Sequence, residues 1–403
     1  MKKKVMFVIP SLESGGAEKS LLTLLSLFDY EKYEVDLFAF NPSGMIKDML
    51  PDQVNLLDLP TDYIISKLPL HKSVLSFLKR GKIRIAIDRI KYSMVLRKYG
   101  YSNKAEQYAW KHMKKFLTLQ QKKYDVAIGY LEKTSNYYVV DMVNSNTKIA
   151  YIHSDYEKLN TDKSFDKKYF EKTDFTVTVS QSCSESLKNN QPSVAGKIRV
   201  IENIVSKETI LDLSKEGKGF ERNDSNTIIL TVGRLSKEKG VDLAIEACKL
   251  LLVDGYKIKW YHIGDGNWGN KVKKMIEESN LIDTFILLGL RSNPYPFIAS
   301  CDVFVQPSRY EGKSIAIEEA KVLGKPIVCT AFSTVHDQIE DEVTGFISEI
   351  DSVSIAKKIK TLIDNPVIRE TVAKNAALYQ GNENEIQKLY DLFKQEFDAH
   401  EVE

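Results

Sequence analysis

The sequence predicts an α/β fold made of two parallel-sheet halves, and three observations predict it. Short apolar runs of strand length alternate with stretches of helical length along most of the chain, the pattern of parallel strands covered by helices on both faces. The alternation restarts near Thr227 after a polar interval, and 403 residues suffice for two doubly wound sheets, each with its own core. The composition, 43% hydrophobic and 28% charged with 20 Gly and 11 Pro, is that of a globular protein and excludes a disordered or fibrous chain.

Taken in order, Lys4–Pro10 reads as a buried strand. Basic residues precede its six-residue apolar run, but the run stops at Pro10 and is too short for the core of a secretory signal. Gly16–Leu27 reads as a helix and Tyr33–Phe40 as a second, alternating strand. Asp125–Tyr130, Lys148–His153, Phe175–Ser180 and Ile198–Ile201 are further short strands. A Ser-, Lys-, Glu- and Gly-rich stretch between Val205 and Asn226 marks the boundary. Beyond it, strands at Thr227–Val232, Lys257–Gly264, Phe285–Leu288, Asp302–Gln306 and Pro326–Cys329 enclose helices at Val241–Leu252, Lys271–Ser279 and Ile315–Leu323. A last helical stretch, Glu383–Phe397, follows a Gln-Gly-Asn break, and its pattern alone leaves open which half it joins.

Cys183, Cys248, Cys301 and Cys329 are scattered without a C-x-x-C, which argues against a zinc site or a disulfide scaffold and fits buried thiols in a reducing cytoplasm. No apolar run reaches the roughly 18 residues that a spanning helix needs. The total charge of +2 sets aside a general affinity for polyanions, yet it hides an asymmetry. Lys67 to Lys123 holds 16 Lys and Arg against Asp88 and Glu106, a net +14 that leaves −12 for the rest. Inside this segment Ile83, Ile87, Ile90 and Met94 recur on one helix face, and Lys82, Arg84, Arg89, Lys91, Arg97 and Lys98 crowd the remainder. Trp110 and Phe116 follow among Lys111, Lys114 and Lys115. The stripe by itself is expected to belong to the core. The charge excess is expected to meet an anionic membrane surface, where each cation contributes about 1 kcal/mol. Nucleic acid ranks last, because no nucleic-acid motif accompanies the charge.

Ligands of open parallel sheets sit beyond the carboxyl ends of strands, so the strand-end loops are the candidates. In residues 11–18, Gly15 and Gly16 allow close backbone approach before a helix N-terminus, which favours an anion, although a tight turn also needs such a pair. The loop lacks G-x-G-x-x-G, so a dinucleotide fingerprint is absent. His153 ends an apolar strand, with Asp155 beyond it, and its two ring nitrogens can bridge a phosphate and a sugar hydroxyl; a lone histidine is as often structural. Arg234 directly follows a strand and Lys239 precedes a helix, a planar fork and a point charge suited to a diphosphate. Gly264 and Gly266 form another strand-end turn. In residues 306–319, Glu311 precedes Gly312, Ser314 is placed to cap the helix from Ile315, and Glu319 lies just over one turn along it. Carboxylates there accept hydrogen bonds from vicinal sugar hydroxyls, while Glu318 is assigned to the solvent side.

Together these residues resemble the retaining glycosyltransferases of the GT-B fold, the large family called group 1 or family 4. The likeness spans nearly the whole chain. It is most specific in V-G-R-L-x-x-x-K-G, in G-D-G and in the E-x7-E from Glu311 to Glu319. The resemblance implies two facing Rossmann-like domains with a cleft between them. One is an acceptor-side domain of 1–205 joined by a C-terminal helix at about 383–403, with its basic segment 67–123 facing a membrane; the other, 206–382, binds a nucleotide-sugar donor. It implies that Gly15 and Gly16 serve the donor phosphate region and that His153 contacts donor sugar and phosphate near the reaction centre. Arg234 and Lys239 would bind the diphosphate, and Glu311 the sugar hydroxyls. Gly264, Gly266 and Gly312 would line the donor, N–H groups of Lys313, Ser314 and Ile315 would meet sugar and phosphate, and Glu319 would hold the ribose. Lys313 departs from the family's usual aromatic or apolar residue, as does Gly-Asn-Trp-Gly from the usual continuation at 266–269, and the Lys313 departure puts donor-sugar identity in doubt.

The implied chemistry needs no metal and no cofactor: the chain contains no D-x-D, and two cations with a helix N-terminus can stabilise the departing nucleoside diphosphate. The family's front-face attack, with the leaving phosphate as base, retains the anomeric configuration. The expected donor is a UDP-sugar ahead of a GDP-sugar, and the expected acceptor a lipid-linked saccharide in bacterial surface polysaccharide, capsule or glycolipid synthesis. The expected place is the cytoplasm, peripheral on the inner face of the plasma membrane. Rival readings are a nucleotide-sugar epimerase or phosphorylase on the same fold, and a non-catalytic partner subunit; retention of His153, Arg234, Lys239, Glu311 and Glu319 argues against the second.

Overall fold

The computed structural model describes residues 2–13, 15–100, 102–221 and 226–394. Residue 14 of the glycine loop, residues 222–225 of the polar interval and residues 395–403 of the expected C-terminal helix lie outside the described residues. The chain forms two compact units, Met1–Glu13 with Leu24–Ile201 and Glu385–Glu403, and Ser14–Thr23 with Glu202–Asn384. The short piece Ser14–Thr23 groups with the second unit, where the sequence reading had kept it in the first.

The first unit holds seven parallel strands: β1 (Lys3–Ser11), β2 (Tyr33–Asn41), β3 (Val54–Leu56), β4 (Gln120–Gly129), β5 (Val143–Ile152), β6 (Phe175–Thr178) and β7 (Ile198–Val200), in the order β3-β2-β1-β4-β5-β6-β7. The second holds six: β8 (Thr227–Val232), β9 (Ile258–Ile263), β10 (Phe285–Gly289), β11 (Val303–Gln306), β12 (Ile327–Thr330) and β13 (Phe346–Ser348), in the order β10-β9-β8-β11-β12-β13. Every pairing within both sheets is parallel. The order reverses between β1 and β4 in the first sheet and between β8 and β11 in the second. At such a switch point two loops leave the carboxyl edge in opposite directions and open a crevice.

The central strands are continuous apolar runs because helices cover both their faces. Val5 to Ile9 of β1 and all of β11 are buried. A recurring device holds the amino ends. The carboxylate of Asp125 accepts the Lys4 N–H at 2.7 Å, Asp174 that of Lys148 at 2.7 Å, and Asp302 that of Ile228 at 2.8 Å. Asp174 and Asp302 directly precede the neighbouring strand, and Asp125 precedes the part of β4 that pairs with β1; each pairs an N–H that the ladder leaves over. Ser180, Ser206 and Asp351 cap helices by accepting the N–H three residues on. The helix Glu385–Lys394 packs in the first unit, where Tyr390 stacks on Tyr33 at 5.3 Å and its hydroxyl accepts the Asp29 N–H at 2.8 Å.

The basic segment folds into three main helices, Leu70–Lys79, Ile83–Tyr99 and Asn103–Met113. The apolar stripe of the middle one does not join the core. Ile83, Ile87, Ile90 and Met94 are 61%, 45%, 41% and 62% exposed, and Ala86 and Arg89 turn inward instead. The Arg89 guanidinium donates to the Ser66 carbonyl at 2.7 Å and the Leu68 carbonyl at 3.2 Å, so a cation assigned to the surface is a buried pin between helices. Trp110 and Phe116 are buried as well, Trp110 donating to Asp141 at 2.8 Å and Phe116 stacking on Phe77. Arg89→Ala leaves two carbonyls without their donor and is expected to destabilise the protein by about 3 kcal/mol in urea unfolding, whereas exposed Arg84→Ala is expected to stay within about 0.5 kcal/mol.

Candidate active site

The second sheet's switch point brings two loops together. Residues 233–240 leave β8 and residues 307–314 leave its neighbour β11. Their approach is close enough to demand glycine. Gly240 has φ +66°, and a Cβ there would fall 1.8 Å from the Pro307 carbonyl oxygen. Arg309 stitches the loops with a two-pronged bond to Asp242, both N···O distances 2.7 Å, and donates to the Lys237 carbonyl at 2.8 Å. Burial opposes ionisation of Asp242, but the guanidinium outweighs it and holds the carboxyl below its usual range.

Lys239 and Glu311 meet at this seam. The ammonium lies 2.6 and 2.9 Å from the two carboxylate oxygens. Ser308 donates to the same carboxylate at 2.6 Å, and Gln306 donates to Ser308 at 2.8 Å and to Glu311 at 3.2 Å. Arg234, on the β8 loop, is exposed, with Glu238 at 3.4 Å. Gly264 and Gly266 pack behind this loop. A Cβ at Gly264 would sit 1.9 Å from the Gly233 carbonyl oxygen and one at Gly266 2.5 Å from that of Leu235. Backbone packing thus accounts for both glycines.

The helix Ile315–Val322 begins at Ser314, whose side chain makes no capping bond. The expected hydroxyl cap does not form, and Gln338 accepts the N–H of Ser314 itself at 2.8 Å, so that N–H is not open to a ligand. Glu318, assigned to solvent, is 2% exposed and lies 3.2 Å from Lys321 and 3.8 Å from Lys313. The Lys313 side chain is buried, pairing with Glu202 as well. Glu319 is also buried. Its carboxylate accepts the Tyr295 hydroxyl at 3.0 Å, with Lys19 at 3.5 Å, and it lines a small cavity with Ser20, Thr23 and Ile315. Gly16 lies beside Ile315, a Cβ there meeting its Cδ1 at 3.9 Å, and at Gly15 a Cβ would strike the Glu18 carboxylate.

His153 belongs to the first unit, directly after β5. Its ring packs against those of Tyr130 and Tyr151, at 5.0 and 5.6 Å, which also touch each other at 4.8 Å. Glu132, in the loop after β4, accepts the His153 N–H at 3.0 Å and the Ser154 hydroxyl at 2.7 Å. Asp155 caps the short turn that follows. Glu132, Ser308, Gln306 and Gln338 went unnoticed in the sequence. Only the place of Glu132 and Ser308 just past strand ends could have marked them.

The profile described as glycosyl transferases group 1 matches residues 214–379. The chain is 26% identical over 377 residues, 93% of its length and 94% of the relative's, to the N-acetylgalactosamine-N,N'-diacetylbacillosaminyl-diphospho-undecaprenol 4-alpha-N-acetylgalactosaminyltransferase of Campylobacter jejuni. The chain is a glycosyltransferase whose residues 214–379 match the group 1 family. This glycosyltransferase is also 28% identical, over 55% of its length and 62% of the relative's, to the capsular polysaccharide biosynthesis glycosyltransferase CapM of Staphylococcus aureus. Among solved structures, Anabaena Alr3699/HepE in complex with UDP and glucose matches with a TM-score of 0.69 at 16% identity, covering 98% of this chain and 100% of that one. That match establishes the GT-B fold, with its two Rossmann-like parallel-sheet domains.

His262, on β9, braces the glycosyltransferase's β8 loop by donating from Nε2 to the Gly233 carbonyl at 2.9 Å. It is wholly buried, its Nδ1 has no partner, and burial lowers the imidazole from 6.5 to about 4. Folded His262 is therefore neutral where the unfolded chain's histidine takes a proton. Its contribution is complete above pH 6.5 and is lost as pH falls through about 4, amounting to about 3 kcal/mol. His262→Gln keeps a donor to Gly233 and removes the titration. Its urea stability is expected to fall less steeply than the wild type's between pH 6.5 and 4.

Proposed function

We propose that this enzyme transfers a sugar from a nucleoside-diphosphate sugar, UDP-linked ahead of GDP-linked, to a lipid-linked saccharide, with retention of configuration and without a metal, in the synthesis of a bacterial surface polysaccharide or glycolipid. The observation that carries the reading is the Lys239–Glu311 contact at the switch point, with Arg234 exposed on the same loop. In this reading the acceptor hydroxyl attacks the anomeric carbon on the face that the diphosphate leaves. The anomeric C–O bond to phosphate breaks, and the leaving phosphate oxygen takes the acceptor's proton. Lys239 and Arg234 stabilise the charge that grows on the diphosphate, the main electrostatic task of the step. Glu311 accepts hydrogen bonds from the donor sugar's hydroxyls, His153 meets the sugar and phosphate, and Glu319 meets the ribose. A lipid-linked acceptor accords with the Campylobacter relative, whose name specifies a diphospho-undecaprenol saccharide, and capsule synthesis accords with CapM.

Glu311→Ala, Lys239→Ala and Arg234→Ala are each expected to lower transfer about 100-fold or more while the folded protein persists. Excess EDTA is expected to leave the wild-type rate unchanged. Full activity in Glu311→Ala and Arg234→Ala would overturn the site assignment, and conversion of the donor without any acceptor would favour an epimerase. A panel of nucleotide sugars screened by thermal shift identifies the donor, since one at about 100 times its dissociation constant adds about 2.7 kcal/mol.

The outward row Ile83, Ile87, Ile90 and Met94, with Arg84, Lys91, Arg97 and Lys98 exposed on the same helix, supports seating on an anionic bilayer. Leu75 and Leu78 of the preceding helix are exposed as well. No described helix is long and apolar enough to cross a membrane. The protein is expected to float with vesicles rich in phosphatidylglycerol and to bind less as salt rises. Replacing Arg84, Lys91, Arg97 and Lys98 by Gln is expected to abolish flotation, at about 1 kcal/mol per cation. Unchanged flotation of that variant would refute the seating.

A further inference from the structure

Glu318 and Gln338 form a buried polar cluster behind the β11 loop that the proposed chemistry does not use. Gln338 lies 24 residues from Ser314 in sequence and reaches it with both ends of its amide. Its Oε1 accepts the Ser314 N–H at 2.8 Å, and its Nε2 donates to the Ser314 carbonyl at 2.8 Å. The second Nε2 hydrogen goes to Glu318 at 2.9 Å. Ser314 offers an N–H that needs an acceptor and a carbonyl that takes a second donor beside the Glu318 N–H at 3.4 Å, so only one orientation of the amide fits. The side chain thus pairs with the Ser314 peptide as a neighbouring strand would.

The contact belongs to a series. Thr330, Thr334 and Gln338 are spaced four residues apart, and each binds the backbone of the same loop. Thr330 donates to the Ser308 carbonyl, Thr334 to the Glu311 carbonyl at 3.1 Å, and Gln338 clamps Ser314. Lys321 donates in turn to the Gln338 carbonyl at 3.1 Å. Thr330, Thr334, Gln338, Ser314 and Glu318 are all buried, so little water competes for these bonds.

We infer that Gln338 is a positioning residue for donor binding: it sets the shape of the turn between Glu311 and the helix Ile315–Val322, and by occupying the Ser314 N–H it makes Ile315 the first helix N–H open to a phosphate. The inference rests on the nucleotide-sugar reading above. The first N–H groups of a helix have no partner inside the helix, and the Ser314 hydroxyl does not supply one. Gln338 takes the N–H at the cap itself and so fixes where the exposed set begins.

The test uses the full chain, with UDP and GDP as probes. Affinity is read by calorimetry and by the rise in melting temperature that each probe produces. Gln338→Ala is expected to bind the preferred probe about 10-fold more weakly and to show a smaller ligand-induced rise, whatever its melting temperature without ligand. Gln338→Glu can still accept the Ser314 N–H but faces Glu318 and cannot donate while ionised. Its affinity is expected to be low at pH 8 and to recover toward pH 5, where a proton restores the donor, a recovery the wild type does not share. If Gln338→Ala fails to fold, Thr334→Val, which removes only the donor to the Glu311 carbonyl, is expected to weaken binding in the same direction. Wild-type affinity in whichever of these variants folds, with no pH recovery in Gln338→Glu, overturns the inference. A wild type that binds neither UDP nor GDP overturns the nucleotide-sugar reading and this inference with it.

Discussion

Glu311 keeps its carboxylate where only 10% of the side chain meets water, and Lys239 is what makes that possible. A carboxylate so placed without partners carries a penalty of several kcal/mol. Lys239, Ser308 and Gln306 offset it together, and they come from both sides of the seam between the β8 and β11 loops. The loops therefore cannot be placed independently of one another. Gly240 permits their close approach, and the Arg309–Asp242 fork holds it from the solvent side.

The strand order explains why this happens at one point of the sheet. From β8 the chain runs outward to β9 and β10, then crosses back to place β11 on the other side of β8. The two loops that flank the reversal are the ones that carry Lys239 and Glu311. Behind them the packing is backbone against backbone. Gly264 lies against Gly233, Gly266 against Leu235, and His262 donates into the same stretch. A loop braced at so many main-chain atoms presents its cation in a fixed place, and fixed charges spend least free energy on reorganisation when charge develops on a ligand.

How much of this was legible in the sequence depends on the length of the signal. The buried strands announce themselves as apolar runs, and Arg234, Lys239 and Glu311 stand where strand-end loops carry chemistry. The three-residue strands β3 and β13 escape the sequence reading, although the equally short β7 does not. The stripe on Ile83–Tyr99 was legible as a stripe. Periodicity marks a face without saying what covers it, and here the buried side is held by Ala86 and the fork of Arg89. The polar residues that shape the site were illegible for one reason. Gln338 meets Ser314 across 24 positions and Glu132 meets His153 across 21, and such pairings leave no local pattern.

Lys313 shows the same limit of a local reading. As the residue that departs from the family pattern beside Glu311-Gly312, it put the identity of the donor sugar in doubt. Its ammonium instead faces Glu202 and Glu318, and Glu318 in turn faces Lys321 and Gln338. Two lysines thus face two glutamates, and each has a partner of opposite sign. An apolar residue at 313 would remove one cation and leave Glu318 under-compensated behind the turn. The lysine is accounted for by the acids around it rather than by anything in front of the loop.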